Sequence, residues 1–205
     1  MARSFRDELW NVPNAVTLVR IAAIPAFLWF AYYDSRLNSF AAALLYAAVS
    51  ATDFLDGWLA RRLDRVTVIG KFLDPLADKL IAMSALVMLV HLGRVGAWVV
   101  ILLLARDLAV TGLRTIAMSE GLVLDAGQEG KYKTAIQLAG IVFLLLHYTY
   151  PVDFFLFTVD IDSNRAGTGL VYLSLVFSLW SAWKYFLAFV EAHYRRGGAG
   201  GDPAT

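Results

Sequence analysis

Residues 39–92 read SFAAALLYAAVSATDFLDGWLARRLDRVTVIGKFLDPLADKLIAMSALVMLVHL: two long apolar runs joined by a short charged connector. A helix that crosses a bilayer needs roughly 20 mostly apolar residues, and the runs 39–60 and 71–92 both reach that length. Outward from this pair the same reading finds runs at 14–33, 96–118, 132–151 and 168–191. The expected fold is therefore all-α: a polytopic membrane protein of six transmembrane helices, with one six-helix domain over 14–192. Composition agrees, since 59% of the 205 residues are hydrophobic and the mean hydropathy is +0.60, well above globular usage.

The ends read differently from the middle. Residues 1–13 are expected to form an N-terminal cytoplasmic or interfacial segment. In a short helix there, Phe5, Leu9 and Trp10 would face lipid, and Arg3, Arg6, Asp7 and Glu8 water; a solvated tail is the alternative. Both signs of charge in MARSFRDELW argue against a cleavable signal. The end from 193 to 205, with RRGGAGGDPAT, is expected to be a disordered cytoplasmic tail.

Lysine and arginine bias orients the spans. If six helices alternate, Arg3, Arg6, Arg61, Arg62, Arg65, Lys131, Lys133, Arg195 and Arg196 fall on one side. Arg36, Arg94 and Arg165 fall on the other, beside an acidic loop with Asp153, Asp160 and Asp162. Both termini and the 61–71 and 118–131 loops are thus expected in the cytoplasm. A net charge of +1 gives nucleic acid no electrostatic foothold, and the absence of cysteine excludes thiolate metal sites and cysteine nucleophiles.

Within the connector, charge is concentrated where it is expensive. Asp53 and Asp56 are three residues apart near the end of the second span, and Asp74 and Asp78 four apart at the start of the third. Each pair shares a helix face. If the helices are antiparallel neighbours, the four carboxylates converge and repel one another unless a hard cation is bound. Mg²⁺ or Mn²⁺, as two ions, suits such oxygen ligands and implies a phosphate-bearing substrate. Gly57, Ala60 and Gly70 leave room beside them, while Arg61 and Thr67 can reach a phosphate oxygen. Each aspartate could instead pair with Arg61, Arg62 or Lys71.

The order Asp53, Asp56, Gly57, Ala60, Arg61, Gly70, Asp74, Asp78, eight positions over 26 residues, resembles the signature of the CDP-alcohol phosphotransferases. The resemblance implies that the first three aspartates hold one metal and that the first, third and fourth share a second, with Asp78 also the general base. It implies that Gly57, Arg61, Thr67 and Gly70 line the site of a CDP-linked lipid donor, CDP-diacylglycerol, within membrane lipid. It also implies a homodimer, which small residues such as Ala139 and Gly140 would permit. PNAVTLVR, Pro13 to Arg20, resembles the segment that approaches the nucleotide in this family, with Asn14 and Thr17 as contacts. Asn14 is equally readable as a helix cap.

The acceptor must be chosen by other groups. Arg106 and Arg114 lie eight residues apart in ARDLAVTGLR, and Lys131 and Lys133 open the fifth span. Four cations favour a phosphorylated acceptor, so glycerol 3-phosphate or inositol phosphate fits better than serine. Arg106 could also simply be neutralised by Asp107. PNAVTLVRIAAIP, FLDPLADK, ARDLAVTGLR and EGKYKTAIQ resemble the members that use glycerol 3-phosphate. Phosphatidylglycerol is a further acceptor within the family, and a divalent-cation pathway lined by aspartates is the reading from another class. His91, His147 and His193 share no ligand spacing, and Trp29, Trp98, Trp180 and Trp183 read as interface belts.

Overall fold

The computed structural model describes residues 12–33, 35–63, 68–122, 129–154 and 157–199. Six helices follow in order: α1 (Val12–Tyr32), α2 (Arg36–Leu63), α3 (Val68–His91), α4 (Ala97–Ser119), α5 (Glu129–Leu146) and α6 (Ser163–Ala199). Five of the six expected runs match a helix to within a few residues at one end or both. The interfacial helix expected over 1–13 falls largely outside the described residues.

Two differences stand out. The fifth run ends at Leu146, and the region read as an acidic loop is a hairpin of β1 (Thr149–Phe154) and β2 (Phe157–Asp162). These strands are antiparallel, with Thr149 opposite Asp162 and Phe154 opposite Phe157. The segment is rich in Thr, Val, Ile and Phe, which favour extended backbone, and Pro151 is tolerated because a two-stranded sheet has only edges. The second difference is that α6 continues to Ala199, so 193–199, expected in a disordered tail, are helical. Extending a formed helix is cheap, and His193 Nδ1 lies 3.1 Å from Glu120 Oε2, tying that stretch to the end of α4.

Helix ends follow from turn chemistry. Gly93 and Gly121 take the left-handed conformation (φ 69° and 67°) just past α3 and α4, where a Cβ would be strained. There Arg94 N donates to Leu89 O and Leu122 N to Ala117 O. His147 does the same after α5 without being glycine (φ 59°).

Packing runs α1 against α2 and α3, α5 against α2 and α6, and α4 against α6. Phe27, Leu86, Leu89, Val99, Leu103, Ile141, Leu144, Leu145 and Val171 form the buried centre. The closest approach is between α5 and α6. A Cβ on Gly167 would stand 2.7 Å from Leu144 N, and one on Gly140 3.0 Å from Val171 N. Gly140 is therefore used inside the chain, against α6, and not on a face left open for a second copy. Large apolar side chains face outward on several helices, among them Val19, Trp29, Leu44, Ile101, Val176 and Trp183. One stretch among the described residues, Ser163–Tyr194, is by itself long and apolar enough to cross a membrane.

Candidate active site

The signature straddles the junction of α2 and α3. Asp53 and Asp56 are on α2, and Asp74 and Asp78 on α3, with only residues 64–67 between the helices. At a rise of about 1.5 Å per residue, Asp53 lies about 15 Å from the end of α2 and Asp78 about 15 Å from the start of α3; Asp56 and Asp74 lie about 10 Å in. The two pairs thus sit at matching depths from a common end of the bundle. Gly57 and Arg61 are on α2 and Gly70 on α3. The side chains of all four aspartates, Asn14, Arg61 and Lys131 lie outside the described residues, as does Thr67 entirely.

On α1, Thr17 and Arg20 are buried, 2% and 3% exposed. They are three apart and share a face, and α1 packs on α2 and α3, so this polar face is covered by the helices that carry the signature. α1 begins at Val12, which places Asn14 within its first turn. Arg20 carries a signal of its own in the sequence: a charged residue inside an apolar run is a functional candidate in its own right.

The remaining cations are held across helices. Arg106 Nη1 donates to Asp107 Oδ1 (2.8 Å), Nε to Ser178 O (2.9 Å) and Nη2 to Ser181 Oγ (3.1 Å), pinning α4 to α6. Lys133, on α5 and 5% exposed, donates to the same Asp107 oxygen at 2.5 Å. Arg106 and Lys133, paired in the sequence reading only by charge, therefore meet at one carboxylate. Arg114 is exposed, with its guanidinium 6.0 Å from the centre of the Tyr185 ring. Lys79, next to Asp78, donates to Thr111 Oγ1 on α4 (2.8 Å). Ser178, Ser181 and Tyr185 come from a helix whose sequence is too uniformly apolar to announce them.

The histidines go elsewhere: His91 stacks on Tyr32, His147 contacts Tyr148, and His193 meets Glu120. Of the tryptophans, Trp98 packs edge-on against Tyr172 and Trp29 against Tyr33.

The family model described as CDP-alcohol phosphatidyltransferase matches residues 10–183. A protein of Bacillus subtilis (strain 168) named CDP-diacylglycerol--glycerol-3-phosphate 3-phosphatidyltransferase is 39% identical over 90% of this chain and 97% of its own. One of the same name from Escherichia coli (strain K12) is 31% identical over 87% and 94%. A probable phosphatidylglycerophosphate synthase of Mycobacterium tuberculosis (strain ATCC 25618 / H37Rv) is 37% identical over 72% and 71%. The aspartate signature, the α1 segment and the cationic residues of α4 and α5 all lie within the matched region, and the chain belongs to the CDP-alcohol phosphatidyltransferase family.

Proposed function

We propose that this protein transfers the phosphatidyl group of CDP-diacylglycerol to glycerol 3-phosphate, releasing CMP, as a step of phospholipid synthesis. The observation that carries the reading is full-length similarity to relatives named for that reaction, 39% over 97% of the Bacillus subtilis protein. The cations on α4 and α5 agree with it, because an acceptor that already bears a phosphate needs them.

The donor set on α2 and α3 is four carboxylates, hard oxygen ligands that suit Mg²⁺ or Mn²⁺. Two such ions held by Asp53, Asp56, Asp74 and Asp78 would offset the charge of the donor pyrophosphate and of the departing CMP. Asp78 takes the proton of the acceptor's primary hydroxyl as its oxygen forms a bond to the lipid-bearing phosphorus. The bond from that phosphorus to the oxygen of CMP breaks, and CMP leaves with the electron pair. Arg61, Thr67, Gly57 and Gly70 line the donor, with Asn14 and Thr17 toward its nucleotide. Arg106, Arg114, Lys131 and Lys133 make the acceptor side cationic. Most of the rate then comes from positioning and charge stabilisation, as is general for phosphoryl transfer.

In the same proposal all six helices span the bilayer, with both termini and the signature at the cytoplasmic face. Alternation of six helices and the clustering of Lys and Arg at the signature end support that orientation, and the outward apolar side chains support lipid as the solvent. Donor chains enter from the bilayer, and a homodimer is the expected assembly.

The test is CMP release by detergent-purified protein supplied with Mg²⁺ and CDP-diacylglycerol, with glycerol 3-phosphate, inositol phosphate, serine or phosphatidylglycerol in parallel. Release dependent on glycerol 3-phosphate is expected. Release with another acceptor alone would keep the family chemistry and replace the substrate, whereas metal flux without CMP release would replace the enzyme with a cation pathway.

A further inference from the structure

Asp107 occupies a position that charge counting does not explain. It follows Arg106 on α4, is a quarter exposed, and accepts from two cations on one oxygen, Oδ1: Arg106 Nη1 at 2.8 Å and Lys133 Nζ at 2.5 Å. The Arg106 side chain is 11% exposed, and each of its three nitrogens already donates, to Asp107, to the Ser178 carbonyl and to the Ser181 hydroxyl. Three of its five N–H groups are thus committed to α6 and Asp107, which braces the guanidinium in place.

We propose that Asp107 is a positioning residue, braced by Arg106, that fixes the Lys133 ammonium where an anionic acceptor binds. This rests on the reading that Lys133 faces such an acceptor. Lysine is a point charge on a flexible four-carbon stem and must be held to act in a fixed place. Lys133 is 7% exposed along its side chain, so it is a poor lone charge and needs a counterion. Two cations meeting one carboxylate leave the cluster with a net positive charge, and the site stays attractive to phosphate. Without the carboxylate, the Arg106 and Lys133 charges would repel each other, and the lysine would lose the counterion that fixes its ammonium.

Asp107→Asn keeps the shape and removes the charge. Its acceptor KM is expected to rise about tenfold, the size of one charge-assisted hydrogen bond, with kcat and the donor KM little changed. Arg106→Gln should raise the same KM, and the double variant should match Asp107→Asn alone because both act through Lys133. A readout independent of turnover is the rate at which an amine-reactive reagent modifies Lys133, followed by peptide mass spectrometry. Loss of the Asp107 charge should speed it severalfold. Should Asp107→Asn fail to purify folded, Ser181→Ala removes one brace of Arg106, leaves every charge in place, and should shift KM and labelling the same way by a smaller factor. Unchanged labelling, equal damage to donor and acceptor kinetics, or additive effects of the two substitutions would overturn the proposal. If the wild type uses no phosphorylated acceptor, the functional reading falls, and Lys133 labelling still decides whether Asp107 holds it.

Discussion

At the end of the bundle where α3 gives way to α4, three arginines are turned onto the backbone or onto a cap. Arg94, buried, donates to the Leu144 and Leu145 carbonyls and closes the C-terminus of α5. Arg36 donates to Thr149 O and lies 5.9 Å from the Tyr148 ring centre. Arg165 pairs with Asp162, whose Oδ1 accepts from the Asn164 and Arg165 amides at the start of α6. Nearer the signature, Arg106, Lys133, Lys79 and Arg114 end mainly on side chains of other helices: Asp107, Ser181, Thr111 and Tyr185. The Leu144 and Leu145 carbonyls lie in the last turn of α5 and have no intrahelical donor, so Arg94 finishes the fold there. Cations gathered around a counterion leave a local positive field, which is what an anionic substrate requires. The sign of a charge does not separate the two roles; whether it closes the end of an element or joins a cluster between helices does.

That contrast can be broken from either end. The largest effect should be at the signature: Asp78→Asn is expected to lower turnover about a thousandfold, the range of a lost general base, with an unchanged unfolding midpoint in detergent. An active purified variant would remove Asp78 from that role. Next comes Arg94→Ala, which strips two charge-assisted bonds from buried carbonyls and should cost about 2 kcal/mol of stability. Thermal unfolding would read this, and both KM values should hold; a selective change in acceptor KM would mean that the two ends are not functionally distinct. Arg114→Ala should raise the acceptor KM about tenfold, the value of one exposed charge contact to phosphate. If only the KM for the CDP-lipid rises, Arg114 belongs to the donor side. The smallest effect should be Asp162→Ala, loss of a helix cap worth about 1 kcal/mol, visible in the unfolding midpoint and absent from turnover.

The helices were legible because apolar runs of bilayer length are long-range signals that neighbouring residues cannot disguise. Their ends were less so. The hairpin after α5 was hidden by its carboxylates, Asp153, Asp160 and Asp162, which read as a solvated loop until Tyr150, Val152 and Phe154 are seen opposite Ile161, Val159 and Phe157. Gly140 illustrates the same limit: a small residue promises a close approach, but only the packed chain shows that α6 makes it, with Gly167 as the reciprocal position.

By itself the sequence determined the family, because the aspartate signature depends on residue type and spacing along two consecutive helices, and helix geometry converts that spacing directly into depth. It also determined that four cations stand near the start of α5 and along α4. What only the tertiary structure decided is how those cations are divided. Arg106 is locked onto α6 and Asp107, Lys133 is drawn to the same carboxylate, and Arg114 is left exposed beside Tyr185. Except for Arg106 and the adjoining Asp107, those partners come from residues 26 to 75 positions away on helices whose rotation about their axes no local pattern specifies. Only the packing of α4 and of α5 against α6 sets that rotation.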